Sequence, residues 1–466
     1  MKRRIGIGLA AIVAIIVIAA AIAPYFVGRA AESSFKARIA YINAHHAGYV
    51  VHVDSYQRGF YSSEAKLSFT PQASLSPRAM QIWAILLGSR GKPQFDLRIN
   101  HGPIAFAAFG SGHVSFVPVL YTAEFKGGKL PPASIAGIFK PEIYVRQYFD
   151  GSTNSTFTVP PGRYSLGVFG ATWQGVQMTA QINGAQDRVR YSGSIAPINY
   201  QAQNPRSGED YSGSLQGFTF SGDKRQAKYD FWAGTDRATF KGAEFKINGK
   251  QIAKLAAGES HGETRESADG QWSGSSISTQ RGGTIKGWPY SKLTLIEKVS
   301  HIDAATLRQF FDQLHAAAKT AGSDTGKGAM KEALPILIRA LTPAQATASL
   351  ALAAPDGRLD IGARMTFDAA SPPATASGAA ALLGRIDARV TLAFDRKLVD
   401  GFSTRVLGGA NATQTVDHVL DQWQKQGYLK TGSDGRDHSV LTYRSGVFSI
   451  NGQVVFDGSA HPSAKQ

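Results

Sequence analysis

Phe245-Lys246-Ile247-Asn248-Gly249-Lys250-Gln251-Ile252 sets the reading of the chain. Apolar and polar residues alternate on both sides of Asn248-Gly249. Asn-Gly suits a two-residue type I′ turn, in which both central residues need φ > 0. The octet therefore reads as an antiparallel hairpin. From about residue 140 to residue 300 short β runs continue, broken by Gly, Ser, Asn and Asp, with no exact repeat. No helical period intervenes, so the stretch predicts one long antiparallel sheet rather than βαβ units. A glycine count of 50 in 466 residues agrees with a turn-rich β protein.

Toward the N-terminus, Val51 and Val53 alternate with His52 and Asp54. Ala65, Leu67 and Phe69 alternate with Glu64, Lys66 and Ser68. Gln57-Arg58-Gly59-Phe60 between them marks a second hairpin. Phe95, Leu97 and Ile99 form a further strand, ended by His101-Gly102-Pro103. Toward the C-terminus, Asp303 can cap a helix over 303–318 whose buried stripe is Leu307, Phe310, Phe311 and Leu314. A second helical piece near 329–341 is interrupted by Pro335. Ala346 to Leu352 and Leu359 to Phe367 form a hairpin around Asp356-Gly357. Val416, Val419, Leu420 and Trp423 mark a last helix closed by Gly427. A final strand pair spans 438–456, with a second Asn-Gly at 451–452.

The chain opens on Lys2, Arg3 and Arg4, and no side chain from Ile5 to Val27 is charged. That run is long enough to cross a bilayer. Ala21-Ile22-Ala23 has the spacing of a leader cleavage site, but Pro24 follows at once, so the run reads as an uncleaved anchor. The basic tip places the N-terminus of this single-pass anchor in the cytoplasm and everything after Gly28 outside, in the periplasm if the cell has two membranes. Phe35, Ile39 and Ile42 then give a stalk helix one apolar stripe.

The expected fold class is α+β: an N-terminal transmembrane helix followed by a long, curved antiparallel sheet with helices packed on one side. The expected segments are a basic tip and anchor (1–28), a stalk helix (29–48) and an N-terminal β part (49–140). A β-rich middle (141–300), a helical segment (301–345) and C-terminal hairpins with a helix (346–466) follow.

Lys+Arg number 50 against Asp+Glu 34, a net charge of +16. No run of five or more basic residues occurs, so no nucleic-acid arm is expected. The charge suits anionic headgroups or envelope polymers as partners. The absence of cysteine excludes disulfides, zinc-thiolate and iron–sulfur sites and thiol catalysis.

With the motifs in view, the sequence resembles the YdgA-like family of bacterial inner-membrane-anchored periplasmic proteins of unassigned function. The resemblance is carried by Tyr25-Phe26-Val27-Gly28 and its helix, by Tyr56-Gln57-Arg58-Gly59-Phe60-Tyr61-Ser62-Ser63, and by His101-Gly102-Pro103. Ile302-Asp303, Ala333-Leu334-Pro335 and Tyr443 to Gly452 complete it. It implies an anchor and a large periplasmic β-rich domain, and it implies no activity.

The candidate binding residues are His101, placed by a turn at a strand end, and Arg58, Ser62 and Ser63, which could hold an anion or headgroup. Each also suits an ordinary turn with its polar groups satisfied by backbone. His45, His46 and His52 lack the convergence of a metal site. Ser33-x-x-Lys36 and Ser63-x-x-Lys66 imitate a penicillin-binding motif, but Ser63 and Lys66 stand on a strand and point to opposite faces. Residues 321–328 lack the Ser or Thr of a nucleotide loop, and residues 150–161 lack the Gly and Glu of a calcium loop. No catalytic residue and no cofactor is assigned. The functional expectation is a non-enzymatic binding or scaffold module for lipid or another anionic envelope component. The alternatives are a docking homodimer and, after it, a hydrolase of envelope polymers.

Overall fold

The computed structural model describes residues 24–44, 49–71, 94–102, 117, 119–125, 141–320, 325–367, 384–408 and 410–457. The chain divides into two compact units. One comprises Met1–Leu166 with Gln174–Ser194, the other Gly167–Trp173 with Ile195–Gln466.

The first unit is an antiparallel meander with one helix on its face. Its strands are β1 (Tyr49–Arg58), β2 (Ser62–Pro71), β3 (Gln94–His101), β4 (Val119–Phe125), β5 (Glu142–Gln147) and β6 (Thr153–Val159). Each pairs with the next, and β6 pairs with Val176–Ile182. Helix α1 (24–44) lies on β1 to β4. Its buried positions Ala31 and Phe35 meet Val51, Ala65, Leu67, Leu97, Ile99 and Val119. A bulge between Val53 and Ser55 shifts the parity of β1, so that Tyr56 and Arg58 face the same side as Ala65 and Ser63.

The second unit is a meander whose long strands are bent. Asp210–Leu215, Ala243–Ile247, Lys250–Leu255 and Gly283–Ile285 belong to a short sheet. Separated from these by two residues each, Phe218–Gln226, Trp232–Phe240, Gly258–Glu266 and Gln271–Gln280 belong to a long one. The bends fall at Gln216-Gly217, Lys241-Gly242, Ala256-Ala257 and Arg281-Gly282. Backbone pairing continues through them. Gln216 N–H donates to Gly242 O at 2.8 Å and Lys241 N–H to Gly217 O at 3.0 Å. Ala256 and Arg281 repeat the pattern with Gly282 and Ala257 at 2.9 and 2.8 Å. The result is a sheet creased along a line of aligned bends.

The long sheet continues through Lys292–Asp303, Gln345–Ala354, Gly357–Phe367, Ile386–Phe394 and Asp437–Arg444, all antiparallel. Helices α2 (Ala304–Thr320) and α3 (Thr325–Leu341) pack on each other after Lys292–Asp303. Asp303 Oδ1 accepts from Thr306 N–H at 2.6 Å and caps α2. The sequence expects Pro335 to interrupt the second helix; α3 instead runs through it, with Ala333 and Ala340 fully buried. Phe311, expected in the buried stripe of α2, is 40% exposed beside Phe231. Helix α4 (Arg396–Phe402) passes into a π-helical turn, Ser403–Gly408, which the sequence does not announce. Helix α5 (Ala410–Lys425) follows. The last segment forms three strands rather than the expected pair, the third being Gln453–Asp457. Along that edge strand Val454, Val455 and Phe456 are exposed.

The expected fold class is corrected. Strands make up 58% and helices 21%, a mostly β protein rather than an α+β one. Among the described residues no helix is long and apolar enough to cross a membrane. Residues 5–23 of the expected anchor lie outside the described residues. Residues 24–27, counted with that run in the sequence, belong to α1. There Pro24, Gly28, Ala31 and Phe35 form one face buried by protein, while Glu32, Lys36 and Arg38 hold the helix to an amphipathic pattern.

The crease generates a prediction. Gly242 has φ +145, and a Cβ there would lie 2.9 Å from the Gln216 side chain and 3.1 Å from Leu255 O. Gly242→Ala is expected to destabilise the second unit by about 1–3 kcal/mol, read as a lower urea midpoint with an unchanged slope.

Candidate functional site

Three of the sequence motifs meet in the first unit. His101 ends β3 and Ser63 is the second residue of β2, both fully buried, with His101 Nε2 and Ser63 Oγ 3.1 Å apart. The His101 N–H donates to Tyr61 O at 2.9 Å. On the other side the imidazole lies against Gly28 of α1. A Cβ on Gly28 would stand 2.5 Å from Cε1 and 2.8 Å from Nδ1 of the ring. Gly28 is thus the residue that lets helix and ring touch. His101 Nδ1 has no partner in hydrogen-bond geometry, although the Pro24 backbone lies near enough to favour the charged ring. Burial outweighs that influence and, with the positive Arg58 nearby, holds the imidazole below its usual pKa.

Arg58 lies at the rim of this niche. Its Nη1 is 3.2 Å from Glu32 Oε2, and its guanidinium lies over the Tyr25 ring at 5.4 Å from the centroid. Lys36, first, and Arg58 hold the Glu32 carboxyl below its usual value. Ser62 accepts the Gly59 N–H at its carbonyl, 2.8 Å, closing the β1–β2 turn. Tyr56 stacks on Phe35 at 5.5 Å, and burial raises its phenol pKa. Tyr121, on the same face, is pushed up to about 12 by burial. A serine hydroxyl beside an imidazole is the start of a nucleophile–base pair. Here both groups are sealed between α1, β2 and β3, so the pair serves as a polar seam between helix and sheet.

Pro103 lies outside the described residues, as do His45 and His46. His52 bonds Thr70 Oγ1 at 2.8 Å on the exposed side of β1. Among the described residues no group of three or more His, Asp or Glu stands close enough to hold a metal.

The second unit holds a feature that the sequence does not single out. Strand register sets side chains in rows across the long sheet. One row is Phe220, Ala238, Ser260, Ser278, Leu295, Leu350, Ile361 and Leu392. The next is Asp236, Gly262, Ser276, Glu297, Ala348, Ala363 and Val390, and a third is Thr264, Gly274, Val299, Ala346, Met365 and Ala388. All point to one face. Toward the crease the face is closed by Trp288, Tyr290 and Leu398 over Leu293, Leu352 and Leu359. Two hollows remain on this face, the first further out and the second beside the bends. One of about 670 Å³ is floored by Ala346, Ala348, Ala363, Met365, Ala388 and Val390. The other, about 290 Å³, is lined by Phe218, Phe240, Leu293 and Leu295. Among the described residues both are walled by strands alone.

The larger hollow has a polar end. Lys224, its side chain 12% exposed, pairs with Asp236 and reaches Thr264 Oγ1 at 3.3 Å. Ser276 donates to Glu297 at 3.0 Å. The opposite face carries Ser275, Lys298, Thr347, Arg364 and Arg389 in one solvated row. The signal for the hollow was present as the strict alternation of Ala346 to Leu352 and Leu359 to Phe367. What alternation lacks is register, which decides that small residues of adjoining strands fall together.

The chain belongs to the family described as bacterial protein of unknown function (DUF945), whose profile matches residues 1–455. No curated protein and no solved structure matches the chain.

Two outcomes follow from the seam. Gly28→Ala forces the His101 ring aside and is expected to lower stability by about 1–3 kcal/mol, seen as a lower melting temperature. Burial first, and Arg58 after it, hold the folded His101 below the ordinary value near 6.5 that it has in the unfolded chain. The unfolded chain therefore takes up the proton first as pH falls. The contribution is present above the unfolded value and is lost as pH drops through the depressed folded value. His101→Gln should flatten that acid-side loss in a series of thermal melts; an unchanged slope would contradict the assignment.

Proposed function

We propose that the chain is a non-enzymatic binding module of the bacterial envelope that holds the acyl chain of a lipid on the inner face of its creased sheet. The observation that carries this is the apolar hollow of about 670 Å³ floored by alanine, valine and methionine. Its size falls within the range of small-ligand sites, roughly 300–1,000 Å³. Each methylene moved from water onto such a floor contributes about 0.8 kcal/mol, so a chain of ten or more outweighs the entropy of its ordering. The hydrogen-bonded side chains at the Lys224 end suit a polar headgroup, and the apolar rows suit the tail. An envelope location and the narrower YdgA-like kinship of the motifs belong to the same proposal.

The test is native mass spectrometry of the full chain purified in detergent, with extraction and identification of what it carries. One phospholipid or glycolipid per chain is expected. Ala348→Phe with Ala363→Phe fills the hollow and should remove that mass while leaving the circular dichroism spectrum unchanged. A wild-type chain that carries no lipid overturns the reading. A second reading, a dimer paired through Gln453–Asp457, rests on the exposure of Val454, Val455 and Phe456. A lipid-free mass of two chains favours it.

A further inference from the structure

Outside both hollows, the first unit gathers four exposed aromatic side chains at one end. Tyr25 and Phe26 stand on the first turn of α1, 46% and 63% exposed, with their rings edge to face at 5.6 Å. Phe60 and Tyr61 form the tip of the β1–β2 turn, 48% and 44% exposed, with rings edge to face at 4.8 Å. The two pairs are far apart in sequence, and the fold holds them together. Tyr61 O accepts from His101, whose ring lies on Gly28, and Arg58 at the base of the turn covers the Tyr25 ring. Arg29, one turn along α1 from Tyr25, is exposed beside them.

Large apolar rings exposed singly are ordinary on a protein surface; several gathered at one end, rimmed by cations, mark an interaction site. Tyrosine and phenylalanine with arginine among them match the chemistry of a bilayer's headgroup region. There rings sit at the apolar boundary and guanidinium groups meet phosphate. The charge of the chain has the same sense, +16 overall. The sequence supplies a second pointer. The uncharged run that starts at Ile5 leads into α1 at Pro24, so in sequence the aromatic pair Tyr25-Phe26 closes the most apolar stretch of the chain.

We infer that Tyr25, Phe26, Phe60 and Tyr61, with Arg29 and Arg58, form a contact surface for an anionic lipid bilayer, entering its headgroup layer as one rigid tip. The β1–β2 turn is then a second point of membrane contact, beside the start of α1, and it fixes the orientation of the first unit on the surface. The inference is independent of the hollow in the second unit.

The chain has no cysteine, so single thiols can be placed without background. In the full chain, Phe60→Cys and, separately, Tyr61→Cys are labelled with an environment-sensitive nitrobenzoxadiazole dye. Phe149→Cys, at a turn position 77% exposed, is the reference. The proteins are reconstituted with vesicles of phosphatidylethanolamine and phosphatidylglycerol. The expected result is a blue shift at positions 60 and 61 and iodide quenching several-fold weaker than at 149. Pure phosphatidylcholine vesicles should give a smaller shift. Quenching at 60 and 61 equal to that at 149 overturns the inference, and an equal shift in both lipids overturns its anionic part. The hollow-filling variant Ala348→Phe, Ala363→Phe should leave every one of these readings unchanged, whatever becomes of lipid carriage.

Discussion

In a β-sheet a slip of one residue turns every side chain to the other face. The second unit depends on holding one register across strand after strand. From Phe220 to Leu392 the pairings keep a single parity, and the irregularity between Trp272 and Gly274 falls at the end of its strand. That constancy sorts the chain into two chemistries. From Leu295 to Leu392 leucine, isoleucine, valine, methionine and alanine gather on one face, with Asp236, Ser260, Ser276, Ser278 and Glu297 continuing it as a polar stretch, while Lys298, Thr347, Arg364 and Arg389 stand on the other. Where leucines line up beside the crease, Trp288 and Leu398 cover them. Where alanines line up, the floor drops away and the hollow opens. The core and the larger hollow are the same face, differing in side-chain volume and in what covers it.

The first unit uses a buried polar contact for a related purpose. An apolar helix face can slide on an apolar sheet face with little penalty. A ring that fits only where Gly28 leaves room, and a hydroxyl placed to meet its nitrogen, allow one position. A fully buried imidazole without a full set of partners is destabilising in itself. What it contributes is definition, because any shift of α1 along β3 would close the space over the ring. Arg58 between Glu32 and Tyr25 adds a second fixed point at the rim.

Much of this was legible in the sequence, and the gaps have a common cause. Asn248-Gly249 and Asn451-Gly452 adopt the positive φ pairs that their residue types favour, +50 with +73 and +49 with +85. Asp303 caps as its position suggests. These are local effects, decided within four residues. The crease was not legible, because Gln216-Gly217, Lys241-Gly242 and Arg281-Gly282 look like turns that end strands. Their glycines, with φ +128, +145 and +105, bend strands instead, and only pairing with the neighbouring bend distinguishes the two. Pro24 and Gly28 read as the end of an apolar run; that they belong to a docked helix depends on His101, far along the chain. His101, Arg58, Ser62 and Ser63 could be singled out as residues, whereas which of them is enclosed is a tertiary property.

The bent strands also bear on how such a protein can change in length. Between Ile198 and Asp303 each strand hydrogen-bonds to neighbours only a short step away in sequence, and every bend sits beside an equivalent bend. A segment made of one bent strand and its return is therefore a self-contained module. Adding or removing one would lengthen or shorten both sheets together, keep the crease straight and require no rethreading of the rest. Chain growth of this kind would extend the apolar face without redesigning it, so the span of that face is set by the number of such modules.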